Sequence, residues 1–489
     1  MKIRYIFVVC LVLAVASLSK AGPEETEYFA VFMEGKKIGH AIQSRVAADG
    51  KVTTTEKMSM QMSRANTPMS MNTTETSIET TDGKPLGFEA VQDLSLTTMK
   101  VSGTVNEQGT VNVTITSTGG EQKTNFEWPS GAVMAEGMRL LELKKGLKEG
   151  LEYSVKLFSP GNIQALDAQI RIGPKQNVDL LGRVAALTEV KTTLKAPGGG
   201  EIVSTSYVDG DLCVQKNVVP LMGIQVEMIA CAKEFALGKN DVLELVDKMF
   251  IASPEPLNNI ESAESTVYQL SPTGQATALM IPSTDNQKVE HLKEGGAIVT
   301  VRPVAAPTGA KFPYEGKDSN ILEAMKPTRF LQSDSNEIIE LAHRAAGGTG
   351  DAAEAVKRIE SFVSKYIENR GLSVGYASAA EVAASKVGDC SEFAVLTAAM
   401  CRAVGIPARI VSGLLYVKAF AGRENVFGGH MWVEAYVGDK WIGLDATRAP
   451  KGFDAGHITL ATGNGEPADF FNLTNTFGQF KIDKVIIKK

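Results

Sequence analysis

The sequence predicts a multidomain protein, with an antiparallel β domain in its first half and an α+β domain after it. Three observations carry this reading. At 489 residues the chain exceeds what one compact core holds. Across 27–233, short Thr-, Val- and Ser-rich runs are punctuated by Gly, Asn and Asp, the pattern of strands and hairpins. From Ser333 onward, helical periodicity takes over and then gives way to three β-like runs, so helices lead into an antiparallel sheet.

The elements follow in order. Residues 1–21 have a basic start at Lys2 and Arg4, an apolar run from Ile6 to Ala16, and Ser19-Lys20-Ala21 as a small-x-small site. That is a secretory signal peptide, with cleavage expected after Ala21. The apolar run is shorter than the ~20 residues needed to span a bilayer. The mature protein is therefore expected outside the cytoplasm, periplasmic or extracellular, with no membrane span. The full chain carries a net charge of −6, and loss of Lys2, Arg4 and Lys20 leaves −9. Such an acidic protein is a poor partner for nucleic acid or an anionic membrane.

The β-rich domain is expected over 22–252, with one helical interruption at "GAVMAEGMRLLELKKGL" and helical periodicity again at 238–249. Cys213 and Cys231 stand almost symmetrically about the turn signal at 220–223. A disulfide and two buried free thiols both fit that placement. The stretch "ASPEPLNNIESAEST" marks a boundary, and a β-like connector over 253–324 follows. The α+β domain then occupies 325–489. Its helices are read at "SNEIIELAHRAAGG", "DAAEAVKRIESFVSKYIENRG" and "SAAEVAASKVG", and its strands at "ARIVSGLLYV", "HMWVEAYVG" and "KWIGLDAT".

Between these groups lies "SKVGDCSEFAVLTAAMCRAVGIPAR". Asp389 is a good N-cap, and Glu392 three residues on completes a capping box. The helix should start at Cys390 and stop at Gly405, with Pro407 beyond. Cys390 then occupies the first turn, where unpaired N–H groups and the helix dipole stabilise a thiolate. Cys401, midway down the helix, is expected to be a core thiol, too far along it to bridge to Cys390.

The hairpin "HMWVEAYVGDKWIGLDAT" has a Gly438-Asp439 turn signal. If Val437 pairs with Lys440, His430 and Asp445 become diagonal neighbours on one face. A one-residue change of loop length would turn Asp445 away. A cysteine at a helix start and a histidine oriented by an aspartate are the components of thiol acyl transfer. In that scheme Cys390 is the nucleophile, His430 the proton carrier and Asp445 the group that fixes the imidazole. Trp432, Tyr436 and Trp441 share the face and are candidates for the wall of a substrate cleft. The same row also fits packing of the sheet against the Cys390 helix.

The order "VGDCSEFAVLTAAMCRAVGIPARIVSGLLY … FGGHMWVEAYVGDKWIGLDAT" resembles the bacterial transglutaminase-like superfamily. The resemblance covers about 325–465 and implies a papain-like α+β fold with Cys390, His430 and Asp445 at the family's catalytic places. "HITL" from His457 to Leu460 also resembles a family segment, for which a structural role is expected. The chain has Ala446 where the family commonly has proline, and Ser391 where animal crosslinking enzymes have tryptophan. The superfamily holds thiol proteases, amidases, peptide deglycosylases and inactive binding versions, so the resemblance implies chemistry more narrowly than substrate.

The expected function is cysteine-dependent acyl transfer on peptide-type amides of a peptide or protein substrate, with hydrolysis favoured over crosslinking. The alternative from another class is a non-catalytic binding or scaffold protein that keeps the fold. No HExxH spacing or paired CxxC occurs, so neither a metal nor another cofactor is expected.

Overall fold

The computed structural model describes residues 24–489, except 65–66, 95–96, 118–119, 196–200, 222–223, 245–249, 274–278, 371–376, 421 and 466–477. Residues 1–21, expected from sequence to be a signal peptide, lie outside the described residues. The chain divides into two compact units, the first ending at Glu244 and the second running on to Lys489.

The first unit is built on a 15-stranded sheet in which strands adjacent in sequence are adjacent in space. The order breaks at one point. Strand Glu24–Met33 pairs with Lys36–Ala48 on one side and with the last strand, Ile224–Ala230, on the other. The sheet thus runs from Gly120–Glu127 at one edge to Ala132–Val133 at the other. Alternation places Met58, Met60 and Met62 on one buried face, as period-two patterning requires.

The expected helical interruption is helix Ala135–Lys145, which buries Met138 among Ile170, Ile172, Val190, Val208 and Val214. Its first turn is tied down by charge. Glu79 accepts from the Glu136 and Gly137 backbone N–H groups at 2.6 and 2.9 Å, while the Glu136 carboxylate takes Arg45 and Arg139. No helix forms over 238–244; the short helix here is Lys233–Ala236, and the rest of the expected segment lies outside the described residues. Cys213 and Cys231 are free thiols.

In the second unit, the Cys390–Ala403 helix is the centre. Every residue from Cys390 to Arg402 is buried, which its small Ala, Ser and Thr side chains permit. Helices Asn336–Ala346, Ala352–Tyr366 and Ala379–Ser385 pack against it on one side. On the other lie Ala408–Phe420 and Arg423–Val437, in a sheet ordered Phe250–Ala252, Arg423–Val437, Ala408–Phe420, His457–Gly463. Lys440–Leu444 pairs along Arg423–Val437. The segment read as a connector belongs to this unit: strand Ser265–Pro272 is hydrogen-bonded to Phe480–Lys488 and to Ala297–Val301. That pairing spans about 200 residues of sequence, beyond the reach of local pattern.

Among the described residues, no helix is long and apolar enough to cross a membrane.

Candidate active site

Local chemistry fixes the cysteine. The Asp389 side chain accepts from the Ser391 N–H, and Glu392 Oε2 accepts from the Asp389 N–H at 2.9 Å, closing the capping box. Gly388 is required just before it, because a Cβ there would lie 2.2 Å from Glu392 Cβ. Cys390 therefore begins the helix, and its Sγ accepts from the Met431 N–H at 3.3 Å. The thiol is nearly enclosed, at 8% exposure.

The hairpin fixes the histidine and the aspartate. Val437 pairs with Lys440 and Val433 with Leu444, the register that sets His430 and Asp445 diagonally. His430 Nε2 lies 2.7 Å from Asp445 Oδ2. The other side of the ring is hydrogen-bonded to Cys390. Burial alone would strip the imidazole of its proton, but Cys390 and Asp445 outweigh it and raise His430 to about 10. Burial would likewise push Asp445 up, yet His430 and His457 hold its carboxyl far below the usual carboxylate range. An ionised carboxylate only accepts, so His430 Nε2 carries a hydrogen and Nδ1 is the nitrogen that faces the thiol.

Two groups that sequence reading did not place at the site complete it. His457, fully buried, puts Nε2 3.1 Å from the same Asp445 Oδ2, so one carboxylate oxygen serves two imidazoles. Its Nδ1 lies 3.1 Å from Asp454 Oδ1, and Asp454 is paired with Arg448. Asp445 and Asp454 raise the His457 pKa against the opposing effect of burial. Glu360, on helix Ala352–Tyr366, accepts the Asp445 N–H at 2.7 Å, and burial raises its carboxyl to about 7. Each left a signal in the sequence. Asp454 and His457 are three residues apart, and Glu360 is an acid on the apolar stripe of Val356, Ile359 and Val363.

The proposed cleft row requires correction. Trp432 is 1% exposed and packs against Phe453 and His457, so it cannot line an open cleft. Tyr436 stacks edge-on with Trp441 and Tyr314, and the Arg409 guanidinium covers Trp441. Both rings lie near the hairpin turn, six strand residues or about 20 Å from His430. Glu434, fully buried, pairs with Arg409 at 2.6 Å and accepts from Asn286. These motif residues tie strands together.

His430, Asp445 and His457 are also, among the described residues, the trio whose donor atoms converge enough to hold a cation. Their geometry fits hydrogen bonds better. Zinc bonds of about 2.0–2.1 Å set tetrahedral ligand atoms more than 3 Å apart, whereas the Nε2–Oδ2 separation of 2.7 Å is a proton-sharing distance.

A thiol at a helix start, an imidazole and a buried carboxylate thus meet on an α+β scaffold, the components that thiol acyl transfer requires. Residues 339–446 match the model of the transglutaminase-like superfamily, and the chain contains a domain of that superfamily there. A 56-residue stretch is 41% identical to the uncharacterized protein ML0607 of Mycobacterium leprae, and spans 11% of this chain and 20% of that relative. Among solved structures, a putative cysteine protease from Cytophaga hutchinsonii is 20% identical over 46% of this chain and 88% of its own, with a TM-score of 0.30. The periplasmic domain of TgpA from Pseudomonas aeruginosa is 13% identical over 41% and 90%, at 0.28. A β-barrel-like protein from Brucella abortus is 11% identical over 43% and 95%, at 0.31. At those scores the likeness is partial, and the assignment rests on the family match.

Proposed function

We propose that this is an exported enzyme whose C-terminal unit performs cysteine-dependent acyl transfer on peptide-type amides, with hydrolysis favoured over crosslinking. One observation carries the reading: Cys390, His430 and Asp445 form an unbroken hydrogen-bonded chain. The Cys390 thiolate attacks the amide carbonyl carbon, and the N–H groups at the helix start, that of Cys390 first among them, stabilise the developing oxyanion. Collapse of the tetrahedral intermediate breaks the C–N bond, and the His430 Nδ1 proton goes to the leaving amine. His430, now neutral, takes a proton from water. The resulting hydroxide equivalent attacks the thioester, releasing the acid and restoring the thiolate–imidazolium pair. An amine entering in place of water would give transamidation. Hydrolysis is favoured because water is always present and no acceptor site is legible.

The first test is iodoacetamide labelling of the mature protein against pH, read for each cysteine by mass spectrometry. Cys390 should label fast below pH 7, and His430→Ala should slow it at least about tenfold. A Cys390 that behaves as an ordinary thiol of pKa about 8.5, and ignores the mutation, would sink the catalytic reading in favour of a binding protein. A peptide screen then separates the reactions: new carboxylates for hydrolysis, incorporation of a dansylated amine for transamidation, each abolished by Cys390→Ala.

A further inference from the structure

The first unit carries a cluster of side chains that none of this chemistry uses. Five of the chain's 17 methionines fall within 58–71, as "MSMQMSRANTPMSM". Their alternating spacing puts those of each strand on one side of it. Strands Lys51–Arg64 and Thr67–Thr80 then group four of them: Met60 is directly opposite Met71, and Met62 directly opposite Met69. All four are buried. On the next strand Gly39 stands beside Met60, so no side chain at that position crowds the group.

Packing alone favours another choice. Sheet cores take β-branched and aromatic side chains by preference, whereas the flexible methionine side chain leaves a core poorly defined. What methionine adds is sulfur. Opposite Cβ atoms on paired strands lie about 5 Å apart, and same-face neighbours along one strand about 7 Å. A point above the centre of the four is therefore about 4–5 Å from each Cβ. A sulfur two bonds further out covers that distance with a metal–sulfur bond of about 2.3 Å. No carboxylate stands within the group; Glu56 and Glu75, on the same face, lie beyond the Met58–Thr73 pair.

We infer that Met60, Met62, Met69 and Met71 form a site for a soft monovalent metal cation, with copper(I) the expected occupant. Thioethers are soft ligands and select such ions. They are also neutral, so they cannot offset the charge of a divalent ion, whose desolvation cost in a buried site is about four times that of a monovalent one. Hard cations need six or more oxygen ligands, which the group lacks. HExxH and CxxC spacings, whose absence argued against a metal, have no bearing on thioethers. The inference concerns the first unit alone and stands whether or not Cys390 is catalytic.

Silver(I), soft and monovalent like copper(I) and stable in air, is the probe. The mature full chain, labelled with carbon-13 at its methionine methyl groups, is titrated with silver nitrate in chloride-free buffer and read by NMR. Single leucine variants assign the signals. Silver taken up by the four cysteines leaves these methyl groups unmoved. The signals of Met60, Met62, Met69 and Met71 should shift together and saturate with one equivalent beyond what the thiols take. The response should be the same at about pH 5 and about pH 7.5, because a thioether has no proton to exchange. In Met60→Leu/Met71→Leu, which nearly conserves core volume, the Met62 and Met69 signals should need at least about tenfold more silver. Signals that stay unmoved in silver excess overturn the inference. So do four signals that shift singly, or an unchanged response of Met62 and Met69 in the folded double variant. If the double variant does not fold, the wild-type titration decides.

Discussion

Asp445 carries more of the site than its place in a triad implies. Its Oδ2 accepts from both His430 and His457, and its Oδ1 accepts from the Thr447 N–H at 3.0 Å. Asp445→Asn would put an amide where two N–H donors point, forcing His430 to the wrong tautomer. Turnover is expected to fall roughly 10³–10⁴-fold with the fold retained, as steady-state kinetics and circular dichroism would check. His457 is a positioning residue. His457→Gln should lower kcat about 10–100-fold, the scale of one lost hydrogen bond to a charged group, and leave KM nearly unchanged. An equal fall in kcat and rise in KM would point to substrate contact instead. His430 has its folded pKa raised to about 10 against 6.5 unpaired. Its contribution to stability is therefore complete below about pH 6.5 and is lost as pH rises through about 10. Cys390, His430 and Asp445 were legible because each stands where a local rule acts, a capping box or a two-residue turn. Trp432 was legible as a neighbour on the face but not as buried, because period-two alternation says nothing of what covers a face.

At the scale of elements, the site depends on two joints. One is the start of the Cys390 helix. Asp389→Ala removes the cap at a cost of about 1 kcal/mol and frees the first turn, so a lower melting temperature should accompany slower labelling of Cys390. The other is the contact between Ala408–Phe420 and His457–Gly463. At Gly413 a Cβ would sit 2.0 Å from the Ile458 carbonyl oxygen and 2.7 Å from the Trp432 ring. Gly413→Ala should therefore push apart the strands that hold His430 and His457, with destabilisation of several kcal/mol expected for such overpacking and visible in denaturant melts. The hairpin and the capped helix could be read from sequence because their chemistry is contained in under 20 residues. The Glu360 contact could not, since it joins a helix to a strand end 85 positions later.

For the molecule as a whole, the strand-rich first half and the helix-then-sheet second half follow from periodicity. Membership of 253–324 in the second unit follows from long-range contacts, chiefly pairing with Phe480–Lys488 and bonds such as that of Asn286 to Glu434. The first unit should respond to pH in an unusual sense. Glu56 and Glu75 have folded pKa values of about 8 and about 7, above the unfolded 4.5. The folded state then holds protons that the unfolded state releases, so this unit loses stability as pH rises from about 4.5 to 8. Glu56→Gln should make strands Lys51–Arg64 and Thr67–Thr80 exchange amide hydrogens more slowly than wild type at pH 8, and the difference should close at pH 5. No difference at pH 8 would mean the carboxyl is solvated.

The pairing of Glu24–Met33 with Ile224–Ala230 also sets a schedule. A strand made first cannot complete its ladder until some 200 further residues have followed it. Through all of that synthesis, one edge of Glu24–Met33 stays open to any other unpaired strand. High contact order of this kind makes for slow closure, so the vulnerable moment in the life of this protein is its emergence, and a chaperone that covers one ten-residue strand would protect the whole first unit.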